Sequence, residues 1–164
     1  MEKLYLDIET TGLSRKRHEV TVVGAYDGNK VYQLIKGENL CEKNLCELLE
    51  DADKIVTYNG KRFDIPFLKH NYNIEINGSH KDLMYLGWKV GLKGGLKKIE
   101  KEIGIGRESG VCGGSEAVRL WKKYKKEGCK ESLRKLLVYN REDIVNLVQV
   151  EKAIENRLEK NNDG

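Results

Sequence analysis

The chain has 164 residues, with 30 Lys and Arg against 26 Asp and Glu, which gives a formal net charge of +4. Hydrophobic residues make up 39% and charged residues 34%, a composition that argues against disorder and fits one folded domain over residues 1–164. No run of the chain approaches the roughly 18 apolar residues that a membrane span needs. The first residues also lack the apolar stretch of a secretory signal. We therefore expect a soluble, cytoplasmic domain with no membrane association.

The four cysteines and three histidines follow no metal-ligand pattern. No C-x-x-C occurs, and Cys41 and Cys46 are five residues apart on a predicted helix, which is not a usual zinc spacing. We expect reduced thiols, and the spacing disfavours a zinc or redox protein.

The first quarter of the chain predicts three closely joined strands. Apolar side chains alternate with other residues from residue 3 to residue 9, which indicates a strand. Two further strands are predicted over residues 20–26 and 31–35, joined by the hairpin turn Asp27-Gly28-Asn29-Lys30. Strands joined this tightly form an antiparallel meander.

The remainder of the chain predicts mainly helices. Leucines recur at helical spacing over residues 39–51, and a short strand over 54–58 precedes a helix over 62–70. A fifth strand is predicted either at 74–76 or at 80–83, and the pattern does not decide between them. Three more helices complete the prediction: 96–103, 115–126 and 131–158. This order favours an α/β fold with a mixed sheet flanked by helices.

Two acidic residues lie on the otherwise apolar first strand. Asp7 and Glu9 are two residues apart, so both carboxylates leave the same face of the sheet. Like charges this close repel each other unless a cation lies between them. The ordinary alternative is an exposed strand face with two solvated acids.

Two later motifs are weaker taken singly. Asn59 and Gly60 break a strand ahead of Asp64, an acid at a helix start that the helix dipole alone would explain. Tyr139 and Asp143 are four apart on the last helix and share a face that looks toward the core. A buried carboxylate there requires a partner, and a local hydrogen bond would be the simplest one.

Together the three motifs resemble the DEDD superfamily of 3′–5′ exonucleases, and the opening meander resembles that of the ribonuclease-H-like fold. Within that superfamily the chain is similar to the YprB-like ribonuclease-H-like domains, through Gly113–Val118, Trp121 and Tyr139–Asp143. The histidine branch has His five residues before the last Asp, where this chain has Val138. Tyr139, four residues before it, fits the tyrosine branch.

The resemblance implies a ribonuclease-H-like mixed five-stranded sheet and two divalent cations, Mg²⁺ or Mn²⁺. Asp7 would bridge both ions, Glu9 and Asp143 would complete the first site, and Asp64 would support the second. Tyr139 would orient or deprotonate the attacking water. Hard ions of this kind prefer oxygen ligands, in agreement with a set of four carboxylates.

The resemblance also implies a binding site for the terminal nucleotide. Its expected residues are Thr10, Thr11, Gly12, Leu13, Asn59 and Phe63. Basic residues near the acidic motifs are candidate phosphate contacts, although a solvated position is the simpler explanation for each: Arg15, Lys16, Arg17, Lys61 and Arg62. For the basic run Lys122–Lys126, a solvated helix face is likewise the better explanation.

The leading prediction is a metal-dependent 3′–5′ exonuclease that acts on DNA or RNA 3′ ends and releases nucleoside 5′-monophosphates. One alternative is an endonuclease or structure-specific nuclease that uses the same site. Another is a nucleic-acid-binding module with weak or lost catalysis, against which the complete set of carboxylates and Tyr139 argues. The glycine-rich stretch Gly104–Gly114 is expected to be mobile, and a substrate-side flap is one role for it.

Overall fold

One mixed five-stranded sheet carries helices on both faces in the computed structural model, which describes residues 3–164. The first two residues of the predicted domain lie outside the described residues. The strands are β1 (Lys3–Thr10), β2 (Val20–Tyr26), β3 (Val31–Ile35), β4 (Lys54–Thr57) and β5 (Ser79–Asp82). The helices are α1 (Glu42–Glu50), α2 (Asp64–Asn71), α3 (Leu83–Lys89), α4 (Leu96–Glu102), α5 (Gly114–Glu127) and α6 (Lys130–Asn162). None of the helices in this range is long and apolar enough to cross a membrane.

The sheet has the strand order β3-β2-β1-β4-β5. β2 runs antiparallel to both β1 and β3, whereas β4 pairs in parallel with β1 and with β5. The predicted mixed sheet with an antiparallel meander is therefore confirmed. The fifth strand corresponds to the second of the two predicted positions, because residues 74–76 lie in a loop whose Ile74 is buried against the core.

Helix α3 was missed by the sequence prediction, which extended the fifth strand to Leu83. The side chain of Asp82 ends the strand by accepting a hydrogen bond from the Met84 N–H at 3.1 Å, so it caps the new helix. Gly87 lowers the helix propensity of this segment, because glycine is a poor helix former, and the sequence therefore did not predict the helix. A Cβ at Gly87 would lie 3.2 Å from the Leu92 carbonyl oxygen. The backbone of residue 92 therefore packs closely against position 87, which favours glycine there over a larger side chain.

The alternation along β1 divides the interior into cores on the two faces of the sheet. Leu4 and Leu6 pack with residues of α1 and α2. Tyr5 packs on the opposite face with residues of α3, α4 and α6, and Asp7 and Glu9 share that face by the period of the strand. The 33 residues of α6 span about 50 Å, so one helix covers this face from end to end.

Asp82 also fixes the turn that leads into α2. Its carboxylate accepts hydrogen bonds from the backbone N–H groups of Asn59 (2.8 Å) and Lys61 (3.0 Å), in addition to Met84. Asn59 has a left-handed φ of 62°, a conformation that asparagine tolerates better than most residues. This turn determines where α2 begins, and the first residue of α2 is Asp64.

We expect Asp82→Ala to lower the free energy of unfolding by about 1–3 kcal/mol, because partly buried N–H donors would lose their acceptor. Urea unfolding followed by circular dichroism measures the change. Asp53→Ala, at an exposed acid in the loop before β4, is the control and should stay within about 0.5 kcal/mol of wild type. Equal losses of stability in the two variants would contradict this role for Asp82.

Candidate active site

Three acidic side chains converge between the sheet and α6. Asp7 and Glu9 come from β1, and Asp143 comes from the facing turn of α6. Their carboxylate oxygens lie within 4.8 Å of one another. Glu9 and Asp143 are only 7% and 6% exposed, while Asp7 is half-buried. The strand spacing of two and the helix position thus place three of the four predicted metal ligands in one group.

The fourth predicted ligand, Asp64, lies beside this group and not within it. It is the first residue of α2, follows the carboxyl end of β4, and is 3% exposed. Its charge raises the pKa of Asp7, and the charge of Asp143 raises the pKa of Asp64 in turn. Asp64 is therefore close enough to interact with the group by charge while it holds a separate position at the edge of it.

The acids of the cluster are buried close together, which favours their protonated forms when no cation is bound. Burial is the main cause that raises the pKa values of Asp7, Glu9 and Asp143, and repulsion from neighbouring carboxylates adds to it. Burial likewise raises the pKa of Asp64 to about 8. Within the described residues, Oε1 of Glu9 and Oδ1 of Asp64 are buried without any hydrogen-bond partner. A set of hard oxygen donors with unpartnered atoms fits a divalent cation such as Mg²⁺ or Mn²⁺.

Asn140 orients Asp7 from α6. Its Nδ2 donates to Oδ2 of Asp7 at 3.3 Å, and its Oδ1 accepts from Nε2 of Gln33 at 3.0 Å. Gly24 lies opposite Asp7 on β2, and a Cβ there would lie 2.1 Å from Oδ1 of Asn140. The sequence analysis did not single out these residues, although a glycine inside a strand often marks a close approach.

Arg107 is a second residue that sequence reasoning missed. Its guanidinium donates to Asp143 and makes a two-point ion pair with Glu100, with N···O distances of 2.5 and 2.6 Å. Glu100 is buried on α4 and holds Arg107 against the cluster. The N–H groups of Glu108 and Ser109 also donate to the carboxylate of Glu142. The glycine-rich stretch is thus tied to both α4 and α6.

Tyr139 lies one helical turn before Asp143. Its hydroxyl accepts a hydrogen bond of 2.6 Å from Nζ of Lys97, which is also missing from the predicted site. Burial, followed by the charges of Asp143, Glu9 and Asp7, raises the pKa of Tyr139 above its usual value of 10. The phenol therefore remains protonated at neutral pH and acts as a hydrogen-bonding group.

An open cavity of about 570 Å³ leads to the carboxylates. Four of the six predicted nucleotide-binding residues line it: Thr10, Gly12, Leu13 and Phe63. Thr11 closes the β1–β2 connection instead, where its Oγ1 accepts from the N–H of Glu19, and Asn59 forms the turn before α2. The cationic side chains of Arg119 and Lys122, on α5, also line the cavity. Lys122 therefore lies at the cavity and not only on a solvated helix face.

The RNase H superfamily model matches residues 4–155 of the chain. The chain belongs to the RNase H superfamily. The resemblance expected from the three motifs is thereby confirmed. An uncharacterized protein of Methanocaldococcus jannaschii, MJ0365, is 28% identical to this chain over 165 residues. The match covers 88% of this chain and 90% of MJ0365.

Solved structures of other proteins share the fold of this RNase H superfamily domain. Brucella melitensis NrnC with bound Mg²⁺ has a TM-score of 0.69 at 20% identity, covering 99% of this chain and 76% of NrnC. The same protein bound to pGG has a TM-score of 0.68 at 21% identity, with the same coverage. The family B DNA polymerase of Pyrobaculum calidifontis has a TM-score of 0.61 at 15% identity, covering 90% of this chain and 24% of the polymerase.

We expect the metal-free protein to lose stability as the pH rises. The pKa of Asp64 is about 8 in the fold against a reference value of 3.8. Between these values the folded protein holds a proton that the unfolded chain has released. The free energy of unfolding therefore falls with increasing pH, by at most about 1.4 kcal/mol per pH unit for one group.

Thermal unfolding in EDTA across this pH range tests that expectation. Asp64→Asn should flatten the decline, whereas Asp53→Asn, at an exposed acid, should leave it unchanged. Added Mn²⁺ should stabilise wild type more at the alkaline end of the range than at the acidic end. An unchanged decline in Asp64→Asn would contradict the raised pKa of Asp64.

Proposed function

We propose that this ribonuclease-H-like domain is a metal-dependent 3′–5′ exonuclease that hydrolyses DNA or RNA strands to nucleoside 5′-monophosphates. The observation that carries the proposal is the group formed by Asp7, Glu9 and Asp143 beside Tyr139, at the end of an open cavity. The Mg²⁺ and pGG bound to NrnC support a divalent cation and a nucleic-acid substrate for this fold.

The acidic residues are the proposed ligands of two cations, Mg²⁺ or Mn²⁺. Asp7, Glu9 and Asp143 would hold the first, and Asp64 would support the second together with Asp7. When bound, such ions supply Lewis acidity and stabilise the attacking and leaving oxygens of a phosphodiester. Asn140 serves this arrangement by fixing the carboxylate of Asp7.

Tyr139 is the proposed positioning group for the attacking water. Because burial keeps its hydroxyl protonated, the side chain is a weak base and a good hydrogen-bonding group. Lys97 donates to the hydroxyl oxygen, so the Tyr139 proton is directed away from Lys97 and is available to an oxygen in the cavity.

The cavity walls suit the end of a strand. Leu13, 86% exposed, and Phe63 present apolar surface on which a base can stack. Arg119 and Lys122 of α5 line the same cavity and suit phosphate oxygens. Stacking and charge do not discriminate among bases, so we expect low sequence preference.

A timed digest of single-stranded DNA and RNA, labelled at either the 5′ or the 3′ end, tests the proposed activity. With Mg²⁺ or Mn²⁺ we expect a descending ladder from the 5′ label and labelled mononucleotide from the 3′ label. EDTA should prevent the reaction, and Asp143→Asn should abolish it because one carboxylate of the group is lost. Asp163→Asn, at an exposed acid after α6, is the matched control and should retain wild-type activity.

Two other outcomes of the digest would replace the proposal. Discrete internal fragments would establish an endonuclease or structure-specific nuclease on the same residues. Binding of the strand without any metal-dependent product would indicate a nucleic-acid-binding module.

Tyr139→Phe should slow hydrolysis by about 10²-fold, because the group that positions water is lost. Its affinity for Mn²⁺, measured by calorimetry, should match wild type because the carboxylates are unchanged. Tyr124→Phe, on α5 with its hydroxyl 3.4 Å from Glu38, is the control and should have the wild-type rate. A wild-type rate in Tyr139→Phe would contradict the assigned role.

A further inference from the structure

A basic and aromatic surface lies outside the catalytic cavity, where α3 packs beside the edge strand β5. We call it the α3 surface and define it by Lys54, Lys61, Arg62, Tyr85, Trp88 and Lys89. Four of these residues, Lys54, Lys61, Tyr85 and Lys89, line a depression of about 590 Å³.

Its aromatic side chains form an exposed platform. The rings of Tyr85 and Trp88 meet edge to face, with centroids 4.9 Å apart and planes at 63°. Trp88 is 41% exposed. Within residues 3–164, the one other large hydrophobic side chain with such exposure is Leu13, which lines the catalytic cavity. An exposed tryptophan held by a neighbouring ring provides a stacking surface for an unpaired base.

The positive charge of the α3 surface has no ion-pair partner among residues 3–164. Across the described part of the chain, none of its four cationic side chains forms an ion pair. Nζ of Lys61 and the guanidinium of Arg62 lie 5.7 and 5.6 Å from the centroid of the Tyr85 ring. The nearby Lys81, in contrast, is paired with Glu151 and Glu155 at 2.7 and 2.5 Å.

Among the described residues, the one acid that lines the depression does not offset this charge. Asp82 is only 8% exposed, and its carboxylate accepts three backbone hydrogen bonds. The cations of the α3 surface therefore face solvent together with the aromatic rings. This combination is typical of surfaces that follow a single-stranded nucleic acid.

The α3 surface adjoins the catalytic cavity through four consecutive residues. Lys61 and Arg62 belong to the α3 surface, Phe63 lines the cavity, and Asp64 carries the fourth acid. A strand whose end occupies the cavity thus has a cationic route past Phe63 onto Tyr85 and Trp88.

We propose that the α3 surface binds the single-stranded part of a nucleic acid that extends away from the end held in the cavity. This inference rests on the proposed function for the strand end and deepens it by naming the substrate class. Substrates that cross the α3 surface are strands of several unpaired nucleotides, and a dinucleotide contacts the cavity alone.

Fluorescence anisotropy in EDTA tests the proposal with wild-type protein and a labelled single strand of about 12 nucleotides. Trp88→Ala should weaken binding about tenfold, because one stacking contact is lost. Lys89→Ala should lower the slope of log affinity against log salt by about 0.7, the value for one phosphate contact on a single strand. Lys69→Ala, at an exposed position on α2, is the matched control and should leave the slope unchanged.

An unlabelled dinucleotide and poly-glutamate serve as competitors. The dinucleotide should compete with equal affinity in wild type and Trp88→Ala. Unchanged binding of the long strand by both Trp88→Ala and Lys89→Ala would overturn the proposal. Binding of poly-glutamate that depends on Trp88, without such dependence for the strand, would overturn it in favour of an acidic protein partner.

Cleavage of the dinucleotide with Mn²⁺ separates this proposal from the proposed function. Equal rates in wild type and Trp88→Ala, with slower cleavage of the long strand at low concentration by the variant, would support both. No cleavage of either the dinucleotide or the long strand by wild type would contradict the exonuclease, and the binding result obtained without metal would still decide the role of the α3 surface.

Discussion

Repulsion among buried carboxylates is the constraint on which the rest of this structure depends. Asp7, Glu9 and Asp143 bring their oxygens within 4.8 Å of one another, with Asp64 close beside them. Removing such charges from water is unfavourable unless cations or hydrogen bonds compensate. The fold supplies a rigid strand and a long helix that hold the acids in place against this repulsion. A site that concentrates negative charge in this way selects cations and, through them, the phosphate groups that cations bind.

The surrounding residues compensate this charge only in part. Arg107, held by Glu100, donates to Asp143, and Lys97 donates to the hydroxyl of Tyr139. The oxygens of Glu9 and Asp64 that lack partners within the described residues remain for an ion. Arg107 comes from the glycine-rich stretch between α4 and α5, so the charge state of the cluster is linked to the position of that segment. The cations further out, on α5 and the α3 surface, are the proposed contacts of the substrate.

Local patterns in the sequence predict most of the fold because they determine local structure. The strand alternation around Asp7 and the four-residue spacing of Tyr139 and Asp143 are local, so the shared face of each pair follows from geometry alone. Arg107, Asn140 and Lys97 were missed because their roles arise from contacts between elements distant in sequence, such as Asn140 with Asp7. Helix α3 was missed because Gly87 weakens its propensity, while a packing contact with Leu92 favours the glycine.

Crystals soaked in Mn²⁺ provide the most direct test of the central claim that the acidic cluster is a divalent cation site. Diffraction data collected near the manganese absorption edge locate the ion by its anomalous scattering. The account predicts an anomalous peak bounded by the carboxylates of Asp7, Glu9 and Asp143, and its loss in Asp143→Asn. A map without a peak at these carboxylates, with Arg107 still bound to Asp143, would contradict it.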